Sequence, residues 1–209
     1  MAAGTISLPF ALGMALILFL GSFFLSYNYL NLTFLFFALG LFILTQLYSF
    51  LLKNILFADI LTIAILFVLR AISGAFVINV KISPWLILCP FFLSLFLSVG
   101  KRHSDLLLLQ NNAAQTRKVL QEYSLNLTGS LMNIFTTLLI VSYALYSFLS
   151  EHNYLLLTLP FALFVIFRYY YLIISNSPIA RHPEKIFADK QMLCGIFLWL
   201  IITAYLIYK

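Results

Sequence analysis

Charge is what this sequence has least of. Asp, Glu, Lys and Arg make up 9% of its 209 residues, against about 25% in an ordinary soluble domain. That excludes a disordered chain and an ordinary soluble globule. The few Lys and Arg are dispersed, which excludes a nucleic-acid surface. Cysteine is almost as scarce: Cys89 and Cys194 each sit inside an apolar run. They make neither a disulfide framework nor a metal pair, and read as packed thiols. The three histidines, His103, His152 and His182, are too far apart for a zinc pattern. Nothing marks a soluble domain, a repeat or a low-complexity tract. Residues 1–52 contain no Lys, Arg, Asp or Glu. The basic n-region of a secretory signal is therefore missing. The first helix also lacks the positive charge that usually orients it, so further chain is expected upstream of Met1.

What the sequence has in abundance is apolar length, with 64% hydrophobic residues. Seven apolar segments stand out, at 8–25, 33–52, 60–80, 84–99, 127–149, 154–174 and 191–208. Each is near the length at which a helix crosses the hydrocarbon of a bilayer. They are continuously apolar rather than alternating, so the expected fold is all-α, a polytopic transmembrane helical bundle forming one domain over 1–209. The longer connections hold Lys53, Lys101, Arg102, Arg117, Lys118, Arg181, Lys185 and Lys190, whereas the shorter ones and the C-terminus hold Lys81 and Lys209. By the positive-inside rule the longer connections and the N-terminus face the cytoplasm. Asp59, Asp105, Glu122, Glu184 and Asp189 lie on that side too. A rim polar in both signs suits a site for metal ions and phosphates, as well as simple solvated ion pairs.

Arg70 is the sharpest anomaly. It lies 11 residues after Asp59, hence ~16 Å along a helix and near mid-membrane. A charge there is costly and normally faces a cavity or a partner. Its neighbours Ala71, Ser73, Gly74 and Ala75 are small enough for close helix packing. The expectation is an anion-binding Arg at the floor of a polar cavity, or a structural Arg bonded to carbonyls. A second cluster, Gly100-Lys101-Arg102-His103-Ser104-Asp105, stands at the cytoplasmic end of the fourth span. On a helix, Lys101 and Arg102 lie four and three residues before Asp105, so two cations and a carboxylate project together. Such a set suits phosphates, and Mg²⁺ is held by one or two carboxylates plus substrate phosphates. The alternative is a snorkelling, salt-bridged helix end.

The stretch 104–124 is too charged to span, and an interfacial helix covering the site fits it, with Arg117, Lys118 and Tyr123 available from above. The loop at 175–190 brings Arg181, His182, Glu184, Lys185, Asp189 and Lys190. Arg168 beside Tyr169, Tyr170 and Tyr171 reads as a snorkelling cation in an aromatic belt. Two sequons, at Asn31 and Asn126, carry little weight.

Four segments together resemble the UbiA-type membrane prenyltransferases, and within them the branch that transfers phosphoribosyl groups to decaprenyl phosphate. They are LKNILFADILTIAILFVLRAISGAFVINVKISPWL at 52–86, LFLSVGKRHSDLLLL at 95–109, TRKVLQEYS at 116–124 and HPEKIFADKQML at 182–193. Members of that family have nine spans and a first Asp-rich motif, Asn-Asp-x-x-Asp-x-x-x-Asp, just before the third. MAAGTISLPF at the start of this chain is similar to the segment after that motif. On this resemblance the chain is N-terminally truncated, with two spans and the first motif expected upstream. In place of the general family's second pair of aspartates, Arg102 stands near one acid's position, and Asp105 takes what is usually a Glu in the phosphoribosyl branch.

The resemblance implies an Mg²⁺-dependent transferase in a bacterial inner membrane. It would move 5-phosphoribosyl from phosphoribosyl diphosphate to a polyprenyl phosphate at the cytoplasmic face. Lys101, Arg102 and Asp105 would be catalytic, with Asp105 also assisting the metal. Arg70, Arg117 and Tyr123 would bind substrate. Its partners would be the two substrates and the bilayer, with a homo-oligomer left open. Two alternatives stay beside it: a non-catalytic polyprenyl-lipid-binding or partner-dependent membrane protein, and a prenyltransferase acting on an aromatic acceptor.

Overall fold

The computed structural model describes residues 7–109, 118–152, 154–175, 177, 179 and 188–208. Among these it contains seven long helices and no strand: α1 (Leu8–Tyr29), α2 (Leu32–Phe50), α3 (Ala58–Val77), α4 (Pro84–Leu109), α5 (Leu125–Leu149), α6 (Leu159–Ile174) and α7 (Lys190–Tyr208). All seven spans are long and apolar enough to cross a membrane, the sixth counted with the 3₁₀ turn Leu155–Thr158 that leads into α6. The expected all-α polytopic bundle is thus the fold, and the protein is an integral membrane protein.

Local chemistry explains where the helices start. Asn31 caps α2 by accepting from the Phe34 N–H at 2.9 Å, and its Nδ2 donates to the Phe76 carbonyl at 3.0 Å. One side chain so joins the start of α2 to the end of α3 and uses both halves of its amide. Ser124 caps α5 through the Leu127 N–H at 3.1 Å, and Asp189 caps α7 through the Met192 N–H at 2.7 Å. Hydroxyls within the apolar helices bond back to their own backbone, as Ser26 does to the Ser22 carbonyl and Thr45 to that of Leu41. A polar group facing hydrocarbon needs such a partner.

The helices pack unequally. The closest associations are α4 with α5 and α3 with α4, followed by α2 with α3 and α6 with α7. The core sits where these meet, around Leu95, Phe96 and Val99 of α4, Met132 of α5 and Tyr169 of α6. Phe96 and Tyr169 meet edge to face at 5.5 Å. By contrast α2 buries no side chain and α1 only Ser26. Both are apolar all round, and α2 meets the bundle through α3. The hydrophobic effect cannot hold apolar helices together inside hydrocarbon, so close packing has to. Gly195 shows this on α7: a Cβ there would sit 2.7 Å from the Phe164 ring and 3.3 Å from Val165 Cγ2.

The boundaries next to the charged cluster and at the end of α3 differ from the sequence expectation in ways that matter. The third span stops at Val77 rather than 80, because Asn79 turns the chain with a φ of 52°, a conformation Asn tolerates. The fourth span runs on to Leu109 rather than ending at 99. Its last turns carry Arg102, Ser104 and Asp105, all buried in the bundle and not projecting into water. The first residues of the expected interfacial helix at 104–124 therefore belong to α4. Lys118–Gln121 form a 3₁₀ turn, and 110–117 lie outside the described residues, as do Arg181, His182, Glu184 and Lys185.

Arg168 is more than a snorkelling cation. Its guanidinium forms a two-pronged pair with Asp189, at 2.7 and 3.3 Å, and lies over the Tyr171 ring at 5.4 Å. The hydrogen bond from Arg168 holds the Asp189 carboxyl below the usual carboxylate range.

Two outcomes are expected for the purified protein in detergent micelles. Gly195→Leu should force α6 and α7 apart, costing about 1–3 kcal/mol and lowering the thermal midpoint by several degrees. Asp189 has a folded pKa below its unfolded value, so its stabilisation is complete above that value and drains as the pH falls through the folded one. The difference in thermal midpoint between wild type and Asp189→Asn, present at pH 6, should shrink below about pH 4. A difference that persists unchanged would show that the charge of Asp189 is not its origin.

Candidate functional site

Asp59 is in the first turn of α3 and has no exposed surface. Its Oδ2 accepts from Nε of Arg102 on α4 at 2.9 Å, and its Oδ1 accepts from the hydroxyl of Tyr123 at 2.8 Å. Arg102 is 2% exposed and Tyr123 4%, so the three groups are sealed from water. Desolvating a charge costs several kcal/mol, and removing one partner of such a pair leaves an uncompensated charge worth about 3–5 kcal/mol. Burial, helped by the Asp59 carboxylate, pushes the Tyr123 phenol well above its ordinary range. It therefore stays protonated and stays a donor.

The backbone supports the same point. Phe57, just before α3, takes a φ of 63°, a conformation bulky residues rarely adopt. Its N–H reaches the Tyr123 oxygen at 3.4 Å, and its ring meets the Tyr123 ring edge-on at 6.2 Å. Val119 and Leu120 of the 3₁₀ turn are buried as well. Three parts of the chain are thereby tied together: the start of α3, the end of α4 and the approach to α5.

Next to this knot, His103 joins α4 to α5 through Nδ1 and the Thr128 hydroxyl at 2.8 Å. That hydroxyl lies 2.9 Å from the Ser124 carbonyl and 3.2 Å from that of Leu125. The hydroxyl has one proton for these three neighbours, and the tautomer of His103 sets which partner donates across the α4–α5 contact. Lys101 is half-buried and Asp105 is 5% exposed, one turn from Arg102. The Ser104 hydroxyl is buried with no hydrogen-bond partner among the described residues.

The helices also line a partly open cavity of about 700 Å³, further along α4 and away from the charges. Trp85, Cys89 and Leu97 of α4, Tyr143 of α5, Ile166 of α6 and Trp199 of α7 are among its walls. A short polar chain closes one side, with Trp199 Nε1 donating to the Tyr143 hydroxyl at 2.7 Å and that hydroxyl 2.7 Å from Thr158 Oγ1.

Of the residues expected from sequence, Lys101, Arg102 and Asp105 share the end of α4, and Tyr123 joins them through Asp59. Arg70 does not. It lies on the exposed side of α3 with its guanidinium 5.8 Å from the Phe67 ring, and it is not among the cavity walls, although Phe67 is. Arg117 lies outside the described residues. Asp59, His103 and Thr128 were missed as parts of the site. Asp59 had one signal: a carboxylate in the opening turn of an apolar span requires a cation. Its partner lies 43 residues away, beyond any local spacing rule.

Magnesium fits this end poorly. Among the described residues no three His, Cys, Asp or Glu side chains come together. Asp59 is engaged by Arg102 and Tyr123, and Asp105 at the end of α4 has interactions of its own. The described residues do not by themselves compose a magnesium site.

No protein-family profile matches the chain. Individual proteins do. It is 34% identical over 154 residues to the decaprenyl-phosphate phosphoribosyltransferase of Corynebacterium glutamicum, covering 73% of this chain and 46% of that protein. The enzymes of the same name from Mycolicibacterium smegmatis and Mycobacterium tuberculosis are 29% and 26% identical, over 72% and 70% of this chain and 51% and 49% of theirs. The chain thus spans about half the length of the curated relatives it matches. It is a homologue of the decaprenyl-phosphate phosphoribosyltransferases, the branch of the UbiA-type membrane transferases that its motifs resemble.

Proposed function

We propose that the protein transfers 5-phosphoribosyl from phosphoribosyl diphosphate to a polyprenyl phosphate, with the charged end of the bundle facing the cytoplasm of a bacterial plasma membrane. The observation that carries this is the composition of α4. One helix presents an apolar cavity over its Trp85–Leu97 portion and then, within the next eight residues, Lys101, Arg102 and Asp105. An amphiphile with a long apolar tail and a phosphate head has the same order. The head would meet the charged end ~6–12 Å along the helix from the last cavity wall.

On this reading the tail occupies the cavity and the phosphate reaches the end of α4. A phosphate oxygen attacks the anomeric carbon of the ribosyl group as the bond to the diphosphate breaks, and the diphosphate leaves. The carbon passes through an oxocarbenium-like state, so catalysis is mostly positioning and charge compensation. Lys101 and Arg102 compensate the phosphates, and Asp105 accepts from a ribose hydroxyl. Arg70, beside the cavity-wall ring of Phe67, meets the acceptor phosphate from deeper in the membrane, and Arg117 acts from the connection before α5. Tyr123, already donating to Asp59, contributes through Arg102.

Membranes containing the full-length protein, given labelled phosphoribosyl diphosphate, polyprenyl phosphate and Mg²⁺, are expected to label the lipid. Lys101→Ala should lower turnover by about 10²-fold with the thermal midpoint unchanged. Arg70→Ala should lower it as well, and unchanged turnover would remove Arg70 from the site. Retained lipid binding without any transfer would favour a lipid-binding protein instead.

A further inference from the structure

We propose that Asp59 is a positioning residue: its buried carboxylate aims the Arg102 guanidinium and latches the segment before α5 across the charged end of the bundle. The inference rests on the proposed phosphoribosyl transfer for its kinetic consequences, but the latch itself stands on geometry alone.

Asp59 accepts two hydrogen bonds, one through each oxygen, and the donors come from different elements. Arg102 reaches it from α4 through Nε, one of the five N–H donors that a guanidinium holds in a rigid plane. Fixing Nε fixes that plane, and with it the direction of the remaining donors. Tyr123 reaches Asp59 from the other side, across 64 residues of sequence. Its oxygen also takes the Phe57 N–H, so the strained Phe57 turn and the α4–α5 connection share one atom. Lys101 precedes Arg102 and Asp105 follows it by less than a turn on the same rigid helix. A carboxylate that never touches substrate therefore sets the geometry of the groups that would.

The latch also places the connection. Val119 and Leu120 are buried and Lys118 is exposed, so the 3₁₀ turn lies against the bundle with its charged side outward. Loss of the Tyr123 hydroxyl would remove this polar tie and shift the load to the apolar contacts of Val119 and Leu120, and a short apolar contact holds a loop weakly.

The test uses the full-length protein in detergent and in native membranes, with Asp59→Asn, Tyr123→Phe and the double variant. Two quantities are read: the rate of tryptic cleavage after Lys118, and the separate kcat and KM for phosphoribosyl diphosphate. Tyr123→Phe should speed cleavage and raise KM by about fivefold, the worth of one hydrogen bond, with kcat changed less than about twofold. Asp59→Asn should move both quantities further the same way. The double variant should be no worse than Asp59→Asn alone, because both changes break one network. Cleavage at the wild-type rate in both single variants would overturn the latch, and so would losses that multiply in the double variant. Should Asp59→Asn fail to fold, Tyr123→Phe, which removes one oxygen, decides. Should the wild-type protein transfer no phosphoribosyl, the proposed function falls and the cleavage rates alone decide the latch.

Discussion

A carboxylate without exposed surface, in a protein that has few charges, constrains everything around it. Asp59 needs a cation, and Arg102 supplies one from the next helix at 2.9 Å. Arg102 in turn could not lie buried at the end of α4 without an acid to face. Each residue makes the other's position tolerable, and neither would be stable in the membrane alone. The pair sets the register of α3 against α4, which pack among the most extensively in the bundle. It also explains why α4 runs several turns past its apolar stretch, since the extra turns are lined by groups whose charges are met inside the protein.

Polar contacts between distant parts of the chain gather at the two ends of the bundle. At one end are Asp59 with Arg102 and Tyr123, and Arg168 with Asp189. At the other, Asn31 joins the start of α2 to the end of α3, and Tyr143 bridges Trp199 and Thr158. Between the ends the packing is apolar and leaves a cavity walled by α4, α5, α6 and α7, with Phe67 of α3. The first end carries charged groups and the second mainly neutral ones. That asymmetry agrees with the distribution of Lys and Arg in the connections, and it gives the cavity a charged side and a neutral side.

The spans were legible because continuous apolar runs of about twenty residues have one structural solution in a bilayer. The cluster on α4 was legible as a cluster, from three charged side chains within five residues. What Arg102 does there was not, because Asp59 lies on another helix and looks, in sequence, like one more rim charge. Arg70 is a different case. A charge near mid-membrane usually faces inward, yet this one lies on the exposed side of α3 beside Phe67. Its small neighbours Ser73 and Ala75 are the buried ones. Periodicity shows that a helix has faces, and only tertiary contacts decide which face a lone charge takes. The reach of α4 to Leu109 was hidden for the same reason, as hydropathy scores Arg102 and Asp105 as solvent-seeking wherever they stand.

The uneven packing bears on how the site is built. Among the described residues, the contacts around Asp59, Arg102 and His103 come from α3, α4, the connection at 118–124 and the start of α5. These elements are also the ones packed most closely. The outer helices α1 and α2 bury almost nothing, and α2 connects to the site through its packing on α3 and on the turn at Leu52–Asn54. A group that must meet phosphate in a fixed orientation gains from resting on the least deformable part of a protein. In a bilayer, where no hydrophobic pressure pushes helices together, that rigidity has to come from buried ion pairs, hydrogen bonds and close contacts at small residues. Asp59 with Arg102, His103 with Thr128, and the close approach of Ile173 to Gly100 on the same turns of α4 supply all three within one short stretch of a single helix.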